Sequence, residues 1–342
     1  MQAIRQSAWG EAAAMALVEV ATPEPVFGEV LVKVAAAGVN PVDVYTRRGQ
    51  AYNLVLDLPF INGWDIAGEV VRIGYGTTRF QPGDLVFGMP WFPRAAGGYA
   101  EYVTAPARHF ARMPEELSFT EAAALPLAGL TAWQMLTEVA ALAPGQRVLV
   151  AGAAGGVGHL AVQIAKARGA HVTGTASAAK HAFVRGLGAD EVIDYTTTEV
   201  SAVARDMDVV IQMFGGEAGL KALECLRPGG VLVSGQAAWT PGLHKRAGEL
   251  GVRAVSYLVD PDCAGLEALA GLVAERRLKV HVDAVFPLAE AARAHDLVAR
   301  GRTTGKVVLA VGTSECGQLG LSTEAAAAKF AAWRERAEGA AR

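Results

Sequence analysis

The chain has 342 residues, 52% hydrophobic and 19% charged, enough for two domains with separate cores. A net charge of −3 with no Lys or Arg run argues against nucleic-acid and membrane partners, and no apolar stretch is long enough to cross a bilayer. Cys225, Cys263 and Cys316 stand far apart without metal spacing, and the opening MQAIRQSAWG lacks a signal-peptide core, so a reduced, cytoplasmic protein is expected.

Residues 1 to about 110 read as β-rich. Short alternating apolar runs recur at 14–20, 30–39, 66–73, 85–88 and 99–104. Turn signals part them at Pro23-Glu24-Pro25, Pro82-Gly83-Asp84 and Gly97-Gly98. The pattern predicts a compact barrel. Asn40-Pro41 opens a short helix, with asparagine as the cap and proline at the first helical position. Near Ser118 the period changes, and Ser118-Phe119-Thr120-Glu121 matches a capping box. A second helix follows over residues 129–141 and stops at Pro144-Gly145.

Residues 147–175 carry the strongest signal. An apolar run, Val148 to Ala151, leads into glycines at 152, 155, 156 and 158. Leu160, Ile164 and Ala167 then recur at helical spacing, Gly169 stops the helix, and a second apolar run starts at His171. This is strand, glycine turn, helix, strand: the first half of a dinucleotide-binding unit. Gly152 allows the tight turn. Gly155 and Gly156 clear side chains where backbone approaches a pyrophosphate, and Gly158 allows close helix packing. From Val157 on, the helix start presents N–H groups and a partial positive charge. An ordinary glycine turn is the competing reading, and the flanking strand and helix patterns argue against it.

Further strands are expected at 191–193, 209–213, 231–235 and 252–258, with helices between them. That alternation gives a doubly wound parallel sheet. After about Val280 the β domain resumes with a strand at 282–288, a helix at 289–300 and a strand at 305–311. The expected division is a catalytic domain over 1–125, a nucleotide domain over 126–280, a catalytic return over 281–312, and an alanine-rich helical tail over 313–342 that Ser322 can cap.

The end of the second strand bears on the cofactor. NAD-binding units usually carry Asp or Glu there, on the ribose hydroxyls. This chain reads Thr173-Gly174-Thr175-Ala176-Ser177-Ala178-Ala179-Lys180, with no acid. Ser177 can donate to a 2′-phosphate and Lys180 can neutralise it, which points to NADPH. Alternatively, Ser177 caps the next helix and Lys180 is a solvated side chain.

Several motifs, in this order and spacing, resemble the medium-chain dehydrogenases/reductases, in the zinc-independent quinone oxidoreductase branch that includes zeta-crystallin. They are Gly38-Val39-Asn40-Pro41-Val42-Asp43, Gly63-Trp64-Asp65-Ile66-Ala67-Gly68, Pro82-Gly83-Asp84, Leu127-Ala128-Gly129-Leu130-Thr131-Ala132, the glycine cluster, and Thr304-Gly305-Lys306-Val307-Val308. The resemblance covers residues 1 to about 312. It implies an α/β fold: a GroES-like β-barrel catalytic domain with an inserted Rossmann domain. Zinc-dependent relatives carry a cysteine in the first motif and His-Glu where this chain has Trp64-Asp65. No zinc is expected here, which leaves hydride transfer to an acceptor activated by conjugation, a quinone or an α,β-unsaturated carbonyl.

By the same resemblance, Asn40 lies near the nicotinamide, where its amide can bond cofactor or substrate; a plain helix cap is the other reading. Tyr52 lines the substrate cleft and can stack on a quinone or bond its oxygen. Thr131 reaches the nicotinamide side, and Tyr195 flanks the adenine. Phe214, Gly235 and Gln236 follow strands at the sheet edge where ligands bind. Gly174 and Val157 complete the cofactor set. Trp64, Trp91, Phe92 and Trp133 are candidates for an apolar pocket, with Trp64 and Trp133 equally readable as core, Asp43 reads as a structural acceptor, and His159 as a packing residue. Relatives imply a homodimer joined by edge strands of the nucleotide domain. Two other functions remain open: a trans-acting enoyl reductase of acyl thioesters, and an NADPH-binding structural or regulatory protein with little turnover.

Overall fold

The computed structural model describes residues 1–311. The tail over 313–342, with its Ser322 cap and Cys316, lies outside the described residues. The chain divides into two compact units: Met1–Leu127 with Asp260–Arg276 and the segment from Val280 on, and Ala128–Val259 with Arg277–Lys279.

The first unit is the barrel. Its strands are β1 (Gln2–Gln6), β2 (Met15–Glu19), β3 (Glu29–Val39), β4 (Phe60–Ile61), β5 (Asp65–Ile73), β6 (Leu85–Gly88), β7 (Tyr102–Pro106) and β8 (Phe110–Arg112). The short strands β1, β4 and β8 were not anticipated from the apolar runs, because each is too brief or too polar to show a period. The long strand β3 is the spine. It pairs antiparallel with β5 and β7, and two register irregularities against β5 bend it around the core. Val30, Val32 and Val34 from β3 meet Ile66, Val70, Val86 and Phe110 in one buried cluster. The helix Pro41–Arg47 starts where β3 ends, as the Asn40-Pro41 pair predicts. The Ser118 box also forms: Ser118 Oγ accepts from Glu121 N at 3.3 Å, and the Glu121 carboxylate accepts from Ser118 N at 2.9 Å.

The second unit is a six-stranded parallel sheet of β9 (Arg147–Val150), β10 (His171–Thr175), β11 (Glu191–Ile193), β12 (Met207–Gln212), β13 (Leu226–Ser234) and β14 (Arg253–Ser256). Their spatial order is β11-β10-β9-β12-β13-β14, so the direction of winding reverses beside β9. Ligands of such sheets bind outside the carboxyl ends of the strands at that reversal. Val148–Val150, Val209–Ile211 and Val231–Val233 are almost fully buried, because helices cover both faces.

The chain then returns to the first unit through β15 (Val282–Pro287) and β16 (Lys306–Ala310), where β16 pairs antiparallel with β3. The return begins earlier than the predicted division at 281. The helix Cys263–Ala274 sits with the first unit, buries Leu266, Leu269 and Val273, and pairs Glu267 with Arg79. Its apolar spacing had no feature that tied it to one unit over the other. No helix among the described residues is long and apolar enough to cross a membrane.

Candidate functional site

The glycine cradle forms at the carboxyl end of β9. Gly152 turns with φ +69°, a conformation that disfavours other residues. Its N–H donates to Thr175 Oγ1 at 2.9 Å, and Ala153 N–H donates to the Thr175 carbonyl at 2.9 Å. Gly155 N–H closes the turn onto the Gly152 carbonyl at 2.9 Å. Those three donors are spent within the turn, and His159 N–H donates to the Gly155 carbonyl at 3.0 Å, so what an anion meets is the head of the helix Gly158–Ala167 and the positive end of its dipole. Gly158 is the tightest point: a Cβ there would lie 2.1 Å from the Gly152 carbonyl oxygen. Gly155, Gly156 and Val157 are only partly covered. Gly174 is buried, with a Cβ position 2.8 Å from Ala153 and 3.0 Å from Val184, so a bare backbone is needed there for packing. His159 is fully buried, its ring 2.9 Å from the Gly155 carbonyl, in keeping with a packing role.

The other predicted cofactor residues line the carboxyl ends of the same sheet. Ser177 and Lys180 follow β10, Tyr195 follows β11, Phe214 follows β12, and Gly235 and Gln236 follow β13. Tyr195 and Phe214 are 56% and 51% exposed, so their ring faces are available for stacking. Gly235 keeps Met213 and Met135 close, with a Cβ position 2.6 Å from Met213 Cε. Thr131 is buried in the helix Pro126–Gln134. One acid escaped the sequence search. Asp194, just past β11, accepts from Ala178 N–H at 3.2 Å and from Thr196 N–H at 2.9 Å. The bonds from Thr196 hold its carboxyl below the usual range. It came from the neighbouring strand, outside the window in which an acid was sought.

In the first unit, three neighbouring strands bring polar side chains together. Asn40 directly follows β3, Asp65 starts β5 and Lys306 starts β16. Asn40 Nδ2 donates to Asp65 Oδ2 at 2.8 Å, and the Lys306 ammonium donates to Asn40 Oδ1. Lys306 also lies 3.2 Å from Asp65 Oδ2, and Asp65 Oδ1 accepts from Leu127 N–H at 2.7 Å. Asn40 therefore does more than cap its helix. Asp43 holds Asn40 N–H at 2.7 Å and accepts from the Tyr99 hydroxyl at 2.9 Å, which lies 3.1 Å from His295 Nε2. Burial pushes the Asp43 carboxyl up to about 7 against those hydrogen bonds, and burial pushes His295 down to about 3. Lys306, Tyr99 and His295 were not picked as site residues. Lys306 was visible only as part of a family motif, and nothing local marks the other two.

Beside this cluster stand three aromatic rings. Tyr52 meets Trp64 and Phe92 edge-on at 6.1 and 5.4 Å, and Trp64 meets Phe92 at 5.4 Å. Tyr52 itself sits at φ +55°, an uncommon conformation for a bulky residue, and burial raises its hydroxyl pKa. The four aromatic candidates do not come together as one pocket, and Trp64 takes the core alternative. Trp64 and Phe92 join Tyr52, whereas Trp91 donates to the Thr104 carbonyl at 2.8 Å beside His109, and Trp133 belongs to the second unit.

Comparison with known proteins agrees with this architecture. Residues 27–115 match the alcohol dehydrogenase GroES-like domain, and residues 187–309 match the zinc-binding dehydrogenase model. A chloroplast quinone-oxidoreductase homolog from Spinacia oleracea is 36% identical over 324 residues, covering 90% of this chain and 98% of that one. The quinone oxidoreductase of Coxiella burnetii superposes with a TM-score of 0.86 at 36% identity, over 91% of this chain and 99% of that one. A mycobacterial protein solved in complex with NADPH has a TM-score of 0.82 at 30% identity, over 91% and 100%. The chain belongs to the medium-chain dehydrogenase/reductase superfamily, in the zinc-independent quinone oxidoreductase branch. It is an oxidoreductase of the nicotinamide-dependent class.

The zinc of the matched model's description does not fit these residues. The Trp64 indole is buried and donates to the Arg94 carbonyl at 2.7 Å, and both Asp65 oxygens are taken up by Leu127 N–H, Asn40 and the Lys306 cation. Among the described residues no three His, Cys, Asp or Glu side chains converge as ligands. The dinucleotide does fit, because the cradle at Gly152–Gly158 has the closeness that only a bare backbone allows.

Proposed function

We propose that the protein is an NADPH-dependent reductase of quinones or α,β-unsaturated carbonyls. The observation that carries the reading is the Gly158 contact, which leaves no room for a side chain at the head of the helix after the first parallel strand. Bound there, NADPH supplies a hydride from its nicotinamide ring. The helix N-terminus holds the pyrophosphate. Ser177 and Lys180 recognise the 2′-phosphate, Tyr195 and Phe214 offer flat faces for the adenine, and Thr131, Gly235 and Gln236 serve the nicotinamide half. Asn40 donates to the acceptor carbonyl oxygen, where negative charge grows; one such donor is worth about a hundredfold or more in rate. Tyr52, half-buried and backed by the buried Trp64 and Phe92, offers its ring to a flat conjugated acceptor. Water or the Tyr52 hydroxyl supplies the proton.

The deciding experiment is an NADPH-oxidation screen across quinones, enones and enoyl thioesters. Turnover with quinones or free enones is expected. Activity confined to enoyl thioesters would favour a trans-acting enoyl reductase, and absence of turnover with all three would favour a structural or regulatory NADPH-binding role. We further propose a homodimer through β14, which stands at the sheet edge with a partner on one side only. Light scattering at micromolar concentration that gave a monomer mass would refute it.

A further inference from the structure

We propose that Lys306 and Asp65 are positioning residues, which lock the Asn40 side-chain amide in one orientation. The proposal rests on Asn40 being the donor that faces the acceptor. An ammonium has only donors and an ionised carboxylate only acceptors. Asn40 Oδ1 must therefore face Lys306 and its Nδ2 must face Asp65, which fixes the amide against a flip. The Asn40 side chain also accepts from the Asp43 backbone N–H in the capping box, so its oxygen is taken up on both sides. Among the described residues Nδ2 makes one hydrogen bond, to Asp65, and its second N–H is the group a carbonyl acceptor would meet.

The fold is built around this clamp. Antiparallel pairing sets Val39 opposite Val307, which carries Lys306 to Asn40. Pairing of Gly38 with Asp65 carries the carboxylate to the same point. A Cβ on Gly38 would lie 2.8 Å from Asp65 Cβ and 2.4 Å from the Ala123 carbonyl, so the bare glycine is what lets Asp65 approach. On the other flank, Gly305 turns at φ +70°, with a Cβ position 2.2 Å from the His281 carbonyl, and the next residue, Lys306, donates its N–H to that carbonyl at 2.9 Å. Asn40, Asp65 and Lys306 are 2%, 0% and 3% exposed. A buried pair of this kind is weak evidence for stability, because desolvation opposes the attraction. A geometric task accounts for its presence.

The test is a double-mutant cycle in kcat for NADPH-dependent reduction of 1,4-benzoquinone, using Asn40→Ala, Lys306→Met and both together. If Lys306 acts through Asn40, each single change lowers kcat by roughly ten- to a hundredfold, and Lys306→Met costs nothing further in the Asn40→Ala background. Fully additive losses would overturn the proposal, since a purely structural role harms both backgrounds alike. An Asn40→Ala protein with parental kcat would instead remove the reading of Asn40 itself. A readout independent of turnover is the ¹⁵N-labelled side-chain amide of Asn40, assigned by its absence in Asn40→Ala. In the parent its two protons should exchange with water at least about a hundredfold more slowly than an exposed amide. Exchange at the exposed rate would overturn the clamp, and this measurement stands even if Lys306→Met does not fold. In a folded Lys306→Met protein the resonances should move toward exposed-amide positions; unchanged resonances would also count against the proposal.

Discussion

The two candidate sites are made from different material. The cradle of the second unit is backbone: Gly152, Gly155 and Gly158 are close in the chain, carry no charge, and work because nothing projects from them. The cluster of the first unit is side chains, with Asn40 and Lys306 separated by 266 positions and the charged groups of Lys306 and Asp65 buried. A backbone cradle fails through added volume, whereas a side-chain cluster fails through a missing partner. The first failure blocks the dinucleotide and leaves the acceptor residues alone. The second leaves dinucleotide binding alone and spoils alignment.

The harshest way to test that contrast is Gly158→Val. Its side chain would drive into the Gly152 carbonyl, so loop or helix must shift and the anion-facing N–H groups move with it. NADPH affinity should fall by roughly a hundredfold or more, on the scale of a lost charge-assisted site, as read by fluorescence titration. The first unit's buried core should be unaffected. Binding within about threefold of the parent would mean that the cradle is not where the pyrophosphate sits.

The same contrast explains what the sequence could reveal. The cradle was legible because its parts lie within a few residues of each other and each glycine answers a local need. The central parallel strands were legible because full burial on both faces leaves near-continuous apolar runs such as Val148–Val150, whereas the edge strands β11 and β14 are only partly buried. The clamp was not, because its members meet only through strand pairing, and a lone lysine in a strand reads as a surface residue. Asp194 escaped for the same reason, since β10 and β11 are neighbours in space. The helix Cys263–Ala274 followed the nucleotide domain in the chain but packs with the other unit, which no periodicity encodes.

A milder change probes the rim of the cradle, where side chains take over from backbone. NADPH should bind at least tenfold more tightly than NADH, about 1.4 kcal/mol, and Lys180→Ala should remove most of that preference while sparing NADH. Asp194 opposes it, because its carboxylate holds Ala178 N–H beside Ser177. Asp194→Asn should therefore widen the NADPH preference. Equal affinities in the parent, or a preference that narrows in Asp194→Asn, would show that the 2′-phosphate is read elsewhere.

In the first unit a smaller effect follows from Asp43. Its folded pKa is raised from 3.8 to about 7 by burial, so the folded state favours the protonated acid. Stability from this group is full below about pH 4 and is lost as pH rises through about 7. In Asp43→Asn that slope disappears. The parent should lose on the order of 1 kcal/mol relative to the variant between pH 6 and pH 8, measured by urea unfolding. His295, pushed down to about 3, loses stability only as pH falls and does so in both proteins, so it cancels. Parallel pH curves would mean that Asp43 is ionised throughout.

The smallest change tests the aromatic wall. Tyr52 packs edge-on against Trp64 and Phe92, and among the described residues its hydroxyl has no hydrogen bond. Tyr52→Phe keeps the ring and removes only that hydroxyl. If the ring merely contacts the acceptor in ground and transition states alike, kcat is retained and KM shifts by a few-fold at most, about the value of one weak hydrogen bond. If the hydroxyl donates the proton, kcat falls by roughly a hundredfold. For quinones the first result is expected, because the reduced oxygen is a stable phenolate-like anion that water can protonate. For enones the protonated atom is a carbanionic carbon, and a larger fall in kcat is expected. A hundredfold fall with quinones would make Tyr52 the acid for every acceptor. Unchanged kcat and KM with all of them would place the acceptor away from this wall.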